Sequence, residues 1–223
     1  MKTILLATAN PGKRAELQEL CADRFTVKTL KDVGLQDVDV VEDAPDFAGN
    51  ARKKARTIAG LALERGIAGI DVVVADDSGL VVDALDGNPG VRSARFSKDA
   101  GYAPAGCSVD DANNRLLLVM LAAVPAERRS ARFVSFVIAR RMHDDVELAA
   151  RPEGKEVVAD GAVEGSIARD LQGAGGFGYD PLFILDDGPI ELRGRRLAEL
   201  SSTQKHSVSH RGRAMRALLA QLG

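Results

Sequence analysis

Asp76 and Asp77 are two adjacent carboxylates that directly follow an apolar run. The β-branched run 71–75 predicts a strand that is buried on both faces, with the two aspartates at its end. Carboxylates at such a place are costly unless they reach a cleft, a cation or hydrogen-bond donors. They suit Mg²⁺, which takes one or two carboxylates and completes its coordination with water and phosphate oxygens. The residues alone leave open that 76–79 is a plain turn.

A polar turn after a predicted strand at 3–7 is a second candidate for chemistry. Its residues are Thr8, Ala9, Asn10, Pro11, Gly12 and Lys13. Asn10 is a typical N-cap and Pro11 a typical first helical residue, and the unpaired N–H groups of a helix N-terminus favour phosphate. Lys13 would oppose the helix dipole by roughly 0.3–1 kcal/mol, which indicates that a phosphate group lies in front of it. A solvated surface lysine is the alternative.

Both candidates follow predicted strands, so we expect them to open on one cleft. In open α/β sheets, ligands bind beyond the carboxyl ends of the strands. One side of the cleft would offer N–H groups and Lys13, and the other side would offer Asp77. Glu42, in an acidic loop at 37–46, is a second possible metal ligand, although such a loop is usually only solvated. Lys54, on the next predicted helix, could meet a phosphate or be a surface lysine.

A glycine-rich loop at 173–178 could hold a nucleobase. Phe177 lies between glycines, which let the backbone approach a flat ligand, and exposed aromatic rings stack bases with about 1–3 kcal/mol per base. The alternative is a hairpin turn with Phe177 packed in the core. The later sequence Ser209-His210-Arg211 adds donors for a carbonyl or phosphate group. A catalytic triad on Ser209 and His210 is not expected, because neighbouring residues rarely face each other as nucleophile and base.

The elements that position these residues alternate between strand and helix early and become richer in strands later. Predicted strands lie at 3–7, 25–30, 71–75, 132–138, 146–150, 156–159 and 165–168, with 146–150 and 156–159 forming a hairpin. Predicted helices follow the turn at 8–13, span 50–65, run from Ser108 to near Pro125, and close the chain through Leu222. This order predicts an α/β protein, a mixed β-sheet flanked by helices, with a β-rich lobe.

Length and composition favour one domain over residues 1–223. A hydrophobic content of 45% and a net charge of −2 are those of an ordinary soluble protein, without the basic surface that binds a nucleic-acid polymer. The sequence shows no signal-peptide layout and no membrane-spanning run, so a cytoplasmic protein without a membrane partner is expected. Cys21 and Cys107 are too few for a disulfide framework and lack metal-ligand spacing.

Taken together, these motifs resemble the Ham1 family of inosine/xanthosine triphosphate pyrophosphatases over nearly the whole chain. The matching stretches are Thr8-Ala9-Asn10-Pro11-Gly12-Lys13, Glu42 before Phe47 and Asn50-Ala51, Ala75-Asp76-Asp77-Ser78-Gly79-Leu80, Pro89-Gly90 with Ser93-Ala94-Arg95, Gly176-Phe177-Gly178-Tyr179-Asp180-Pro181, and Ser209-His210-Arg211-Gly212. Each stretch alone is short, but all six stand in family order.

The resemblance implies an ITPase-like fold of the Maf/Ham1 type, with an active-site cleft between lobes, in a homodimeric enzyme. The implied reaction is Mg²⁺-dependent hydrolysis of ITP, dITP and XTP to the monophosphate and pyrophosphate. The implied metal ligands are Glu42 and Asp77, with Asp77 also the proton acceptor and Ser78 a substrate contact. The triphosphate falls on 8–13. Further substrate contacts fall on Lys54, Phe177, Gly178, Tyr179, Asp180, Lys205, His210 and Arg211.

This chain departs from the family pattern at three places. Gly49 stands where Glu is usual, which predicts altered capping of the helix near Asn50. Gln204 stands where an acidic residue is common, next to Lys205. The segment 143–164 looks longer than usual, and it is expected near the dimer contact.

Two other functions stay open at this point. A Maf-like pyrophosphatase would have related architecture and would act on pyrimidine or modified nucleotides, but Ser209-His210-Arg211 and the loop 177–180 argue against it. A nucleotide-binding regulator would bind ITP tightly without releasing pyrophosphate. Glu42, Asp77 and Lys13 favour the enzyme.

Overall fold

The computed structural model of the protein describes residues 1–8, 17–21, 24–142, 156–173 and 176–223. The described strands are β1 (Lys2–Leu6), β2 (Phe25–Thr29), β3 (Val72–Val82), β4 (Ser130–Arg141), β5 (Glu156–Ile167) and β6 (Phe183–Leu185). They form one sheet in the order β2-β1-β3-β4-β5-β6. β1 pairs in parallel with β2 and β3, whereas β5 and β6 are antiparallel. The predicted mixed sheet is therefore confirmed.

The described helices flank this sheet, as the α/β prediction requires. They are α1 (described over 17–21), α2 (Phe47–Glu64), α3 (Phe96–Asp99), α4 (Val109–Met120), α5 (Ser202–Val208) and α6 (His210–Leu222). The predicted cap of α4 is confirmed, because the Ser108 side chain accepts a hydrogen bond from the Asp111 N–H. None of the helices in the described part of the chain is long and apolar enough to cross a membrane.

The chain divides into two compact units, and the first comprises Met1–Asp77, Ser135–Gly161 and Arg211–Gly223. Successive side chains of a strand point to opposite faces, and β1 obeys this rule. Ile4 and Leu6 pack in a cluster with α6, whereas Leu5 packs in a second cluster with α2. Val72 and Val74 of β3 belong to the first cluster and Val73 to the second, so the prediction of a strand buried on both faces is confirmed for 72–74.

Helix α2 is tied to the sheet of this unit by an ionic cluster. The side chain of Glu156 in β5 is only 5% exposed and accepts hydrogen bonds from Arg52 (3.0 Å), Arg56 (2.5 Å) and Arg140 (3.2 Å). Burial opposes the charge of Glu156, but the hydrogen bonds from Arg56 and Arg52 outweigh it and lower the pKa of this carboxyl. These contacts hold α2 against the sheet. The same helix carries Lys54.

The second unit comprises Ser78–Val134 and Ala162–His210. Its core is a single apolar cluster that includes Leu80, Leu117 and Phe183. Arg129 is buried in this unit, where burial lowers the pKa of its guanidinium. Its side chain donates to the carbonyl oxygens of Leu121, Val124, Ile167 and Ala168.

The single domain over 1–223 and the cleft between its lobes stay predictions.

Two element boundaries predicted from the sequence are wrong. β3 does not end at residue 75, so Asp76 and Asp77 lie inside the strand and 76–79 is not a turn. The strand tolerates these carboxylates because donors from other elements reach them. The separate strands predicted at 156–159 and 165–168 are one strand, β5. Gly165 does not interrupt β5. A glycine is needed there because a Cβ would overlap the Phe183 ring and the Ile184 carbonyl of β6.

Candidate active site

Asp77 is the centre of a polar cluster inside the first unit. Its Oδ2 accepts a hydrogen bond from Asn50 Nδ2 at 3.1 Å, and its Oδ1 lies 3.5 Å from Lys54 Nζ. Lys54 Nζ also lies 3.1 Å from Glu42 Oε2. Asn50 and Lys54 are four residues apart on α2 and therefore share a face. One turn of this helix supplies both donors to the buried carboxylate.

Glu42 and Asp77 converge on the same ammonium group. The side chain of Asp77 is 10% exposed and that of Lys54 is 12% exposed, whereas Glu42 is 35% exposed. Two carboxylates around one cation leave a net negative charge at a position largely shielded from water. In the described part of the chain, no group of three or more His, Cys, Asp or Glu side chains is arranged to hold a metal. Two carboxylates nevertheless meet what Mg²⁺ takes from a protein when water and phosphate supply its other ligands.

The loop that carries Glu42 is attached to the start of α2. Asp46 caps the helix, since its Oδ1 accepts from the Gly49 N–H at 2.7 Å. Gly49 has no side chain to return a bond to the cap, and an altered capping relative to the family stays a prediction. A Cβ at residue 49 would lie 2.7 Å from the Ala44 Cβ, so the glycine lets this loop pass close to the helix. Asp43 pairs with Lys53 at 2.6 Å on the exposed side of the same loop.

Asp76 points to the opposite face of β3 from Asp77, as neighbouring strand residues must. Its Oδ2 lies 3.8 Å from Arg211 Nε, and both residues line a small cavity whose other walls are apolar. The remaining lining residues are Leu6, Leu17, Leu20, Val137 and Met215. The structure thus places Arg211 beside a buried carboxylate of the first unit. Its predicted contact with the base stays a prediction.

Phe177, Asp180 and Lys205 form a second cluster, inside the second unit. Phe177 is 51% exposed, so the alternative that its ring packs in the core is wrong. Lys205 Nζ lies 4.3 Å from the centroid of that ring and also pairs with the Asp180 carboxylate. Asp180 in turn accepts from the Phe177 N–H at 2.9 Å. An exposed ring held under a cation is suited to stacking on a flat, electron-rich ligand.

Helix α4 holds Gly178 of this loop through both backbone polar groups of that residue. Asp110 Oδ2 accepts from the Gly178 N–H at 2.8 Å, and Asn114 Nδ2 donates to the Gly178 carbonyl at 2.8 Å. The next residue, Tyr179, is buried and its hydroxyl donates to the Ser93 carbonyl at 2.8 Å. Burial, reinforced by the charge of Asp110, raises the pKa of Tyr179. We refer to Asp110 and Asn114 as the loop clamp, which sequence reasoning missed.

His210 begins α6, and its ring stacks on Phe133 in the core of the second unit, with centroids 5.0 Å apart and planes tilted by 11°. Ser78 lies half-buried in β3. Gln204 completes a capping box with Ser201, so it performs the helix-start role that a carboxylate would perform. Contact of Ser78 and His210 with substrate stays a prediction.

The predicted phosphate-binding turn is described only at Thr8, which follows β1 and donates its N–H to the Leu6 carbonyl. Ala9, Asn10, Pro11, Gly12 and Lys13 lie outside the described residues. The same holds for the predicted strand at 146–150 and for most of the long segment that begins at residue 143. The expected approach of Lys13 to Asp77 therefore stays a prediction.

Comparisons with known proteins were made over the whole chain. A model of the Ham1 family matches residues 4–221. A dITP/XTP pyrophosphatase of Corynebacterium glutamicum strain R is 42% identical, over 98% of this chain and 96% of that protein. One from Nitratidesulfovibrio vulgaris is 44% identical, over 97% and 94%. The solved Ham1 protein of Staphylococcus aureus is 32% identical and superposes with a TM-score of 0.76, covering 99% of this chain and 98% of its own.

Proposed function

We propose that this chain, which belongs to the Ham1 family, hydrolyses ITP, dITP and XTP to the monophosphate and pyrophosphate and so removes deaminated purines from the nucleotide pool. The observation that carries this proposal is its similarity, over the whole chain, to relatives named dITP/XTP pyrophosphatase. The described clusters supply the groups that such chemistry needs: carboxylates beside the Lys54 ammonium in one unit, and an exposed aromatic ring beside a lysine in the other.

We propose that the enzyme depends on Mg²⁺ and that Glu42 and Asp77 hold it. Their convergence on Lys54 supports this, because two carboxylates already share one cation there. Bound Mg²⁺ would neutralise the phosphates and stabilise the negative charge that develops during transfer. Lys54 is within reach of these carboxylates and can pair with a phosphate oxygen instead. Lys13 and the turn that precedes it would hold the polyphosphate at a helix N-terminus.

The proposed reaction is attack by water on the α-phosphorus of the nucleotide. The water oxygen bonds to that phosphorus, the bond to the bridging oxygen of the β-phosphate breaks, and pyrophosphate leaves. Asp77 accepts the proton from the attacking water. Catalysis of this kind consists mainly of positioning and charge stabilisation, with proton transfer as a further contribution.

Selectivity is proposed to arise at the base. A 6-oxo purine accepts hydrogen bonds at position 6, where adenine carries an amino group that would leave the donors of the site unpaired. Lys205, His210 and Arg211 are the proposed donors, and Phe177 is the proposed stacking platform. The Lys205 ammonium lies over the Phe177 ring, which supports the proposal that the two residues contact the same base.

A substrate panel tests the function. Pyrophosphate release should be measured for ITP, dITP, XTP, ATP and a pyrimidine triphosphate, each with and without Mg²⁺. We expect rapid release from the three deaminated nucleotides only when Mg²⁺ is present. Preference for the pyrimidine would indicate a Maf-like enzyme, and tight ITP binding without release would indicate a regulator.

We also propose that the protein is a cytoplasmic homodimer, on the support of the family resemblance. Sedimentation of the purified protein tests the dimer.

The loop clamp yields a separate prediction. Asp110→Ala removes a charged acceptor of the Gly178 N–H, and such hydrogen bonds contribute about 1.5–3 kcal/mol. We expect the KM for ITP to rise roughly tenfold with little change in kcat, because the loop is misplaced while the carboxylate cluster is intact. Asp111→Ala is the matched control, since Asp111 lies beside Asp110 on α4 but contacts Ser108. Equal KM values for the two variants would contradict a role for the clamp.

A further inference from the structure

We infer that Asn50 is a positioning residue whose buried amide connects Asp77 to the loop that carries Glu42, and that it thereby positions the two proposed metal-binding carboxylates. This inference rests on the proposed function. The side chain is fully buried, at 0% exposure. Its Nδ2 donates to Asp77 Oδ2 at 3.1 Å, and its Oδ1 accepts from the Ala44 N–H at 2.9 Å. Ala44 lies two residues after Glu42, so one amide contacts Asp77 at one end and the Glu42 loop at the other.

The chemistry of the partners fixes the orientation of the amide. A carboxylate can only accept and a backbone N–H can only donate, so the nitrogen must face Asp77 and the oxygen must face Ala44. A carboxamide is the compact side chain that offers both functions at once. Leucine of similar shape offers neither, and aspartate offers an acceptor to Ala44 but repels Asp77. The position therefore requires asparagine for a reason beyond helix packing.

The consequence for Asp77 is that its two oxygens receive different partners. Oδ2 is held by the neutral amide of Asn50, while Oδ1 faces the Lys54 ammonium. Rotation of the carboxylate would break the amide contact, so Asn50 directs Oδ1 towards the cation. Carboxylates that bind metals or accept protons depend on such outer partners, whose loss typically costs about 10–100-fold in metal affinity or activity.

The consequence for Glu42 is that its loop is anchored close to Asp77. Asp46 fixes the end of the loop to α2 through the Gly49 N–H, and the next residue of the helix, Asn50, fixes Ala44. Glu42 lies two residues before the anchored Ala44, and its Oε2 lies 3.1 Å from Lys54 Nζ. The spacing of Asn50 and Lys54 thus sets the geometry of both acids.

The test compares Asn50→Leu and Asn50→Asp with the unsubstituted enzyme, and uses Arg129→Leu as the control. The buried side chain of Arg129 donates to four backbone carbonyls of the second unit, so its loss should lower stability without changing the Asp77 cluster of the first unit. We expect both Asn50 variants to lose about 10–100-fold in kcat for ITP with KM changed by less than about threefold. Arg129→Leu should lower the melting temperature and leave kcat unchanged at a temperature where it is folded.

Hydrogen exchange of the Ala44 amide gives a readout independent of turnover. Asn50→Leu should accelerate this exchange, because the acceptor is lost, whereas Asn50→Asp should preserve it. If Asn50→Leu does not fold, the kcat and exchange of Asn50→Asp decide. A kcat within about threefold of the unsubstituted value in a folded Asn50 variant, or an equal loss in Arg129→Leu, would overturn the inference. If the unsubstituted protein releases no pyrophosphate from ITP, the proposed function fails. Unchanged Ala44 exchange in Asn50→Leu would separately overturn the role of Asn50 in holding the Glu42 loop.

Discussion

Replacing Asp77 with asparagine is expected to lower kcat for ITP by roughly 10²–10⁴-fold, the range attributed to loss of a general base. Asparagine keeps the shape of the side chain but cannot accept a proton from water and is a poorer ligand for a divalent cation. KM should change much less, because the polyphosphate and base contacts lie on other residues. Steady-state kinetics with ITP in saturating Mg²⁺ measures both values.

Asp43→Asn is the matched control for this variant. Asp43 lies on the exposed side of the loop that carries Glu42, and Lys53, through a hydrogen bond and its charge, lowers the pKa of Asp43. It makes no contact with Asp77 in the described residues, so kcat should not change. Near-normal ITP hydrolysis by Asp77→Asn would refute the assignment of Asp77, whereas equal losses in both variants would indicate a general effect of removing acidic charge.

The second large effect is expected at the base. The unsubstituted enzyme should prefer ITP over ATP by roughly 10²-fold or more in kcat/KM, because sites that hydrogen-bond a substrate group reject analogues that leave their donors unpaired. Lys205→Met should remove much of this preference. The substitution removes both the Asp180 partner and the cation over the Phe177 ring, and it takes away a proposed donor to the 6-oxo group.

Competition assays with mixed ITP and ATP measure the preference directly. Lys98→Met serves as the control, since Lys98 is an exposed lysine of the second unit outside the Phe177 cluster. The control should retain the full preference. Equal turnover of ATP and ITP by the unsubstituted protein would contradict the account of the base pocket. An unchanged preference for ITP in Lys205→Met would show that Lys205 does not select the base, and would leave the proposed roles of His210 and Arg211 untouched.

Elements whose signal is local were predicted well. The strand predicted at 3–7 is β1, and the helix predicted at 50–65 is α2, displaced by up to three residues at its start. The cap at Ser108 is a contact between neighbours in sequence, and it too is correct. Periodicity and capping depend on residues within a few positions of each other, so the sequence contains the information that fixes them.

The errors arise where distant residues decide. Asp76 and Asp77 looked like the end of a strand, because a buried carboxylate is costly without donors. The donors to Asp77 come from α2, more than twenty residues earlier, and no local pattern predicts that approach. Gly165 looked like a boundary, but it is a close contact with β6, which lies further along the chain.

The same limit applies to the candidate site. The types of Glu42, Asp77 and Phe177 indicated their proposed roles, and the structure shows both carboxylates beside Lys54 and the Phe177 ring beside Lys205. The residues that hold them in place were not found. Asp110 and Asn114 look like ordinary polar residues at the start of a helix, because their target at residue 178 lies far along the sequence.

The most direct test of the central claim is to follow the oxygen of water during ITP hydrolysis. The reaction should be run in H₂¹⁸O with Mg²⁺, and the products should be separated and analysed by mass spectrometry. Attack on the α-phosphorus predicts one ¹⁸O atom in the inosine monophosphate and unlabelled pyrophosphate. Label in the pyrophosphate, or formation of inosine diphosphate and orthophosphate, would contradict it.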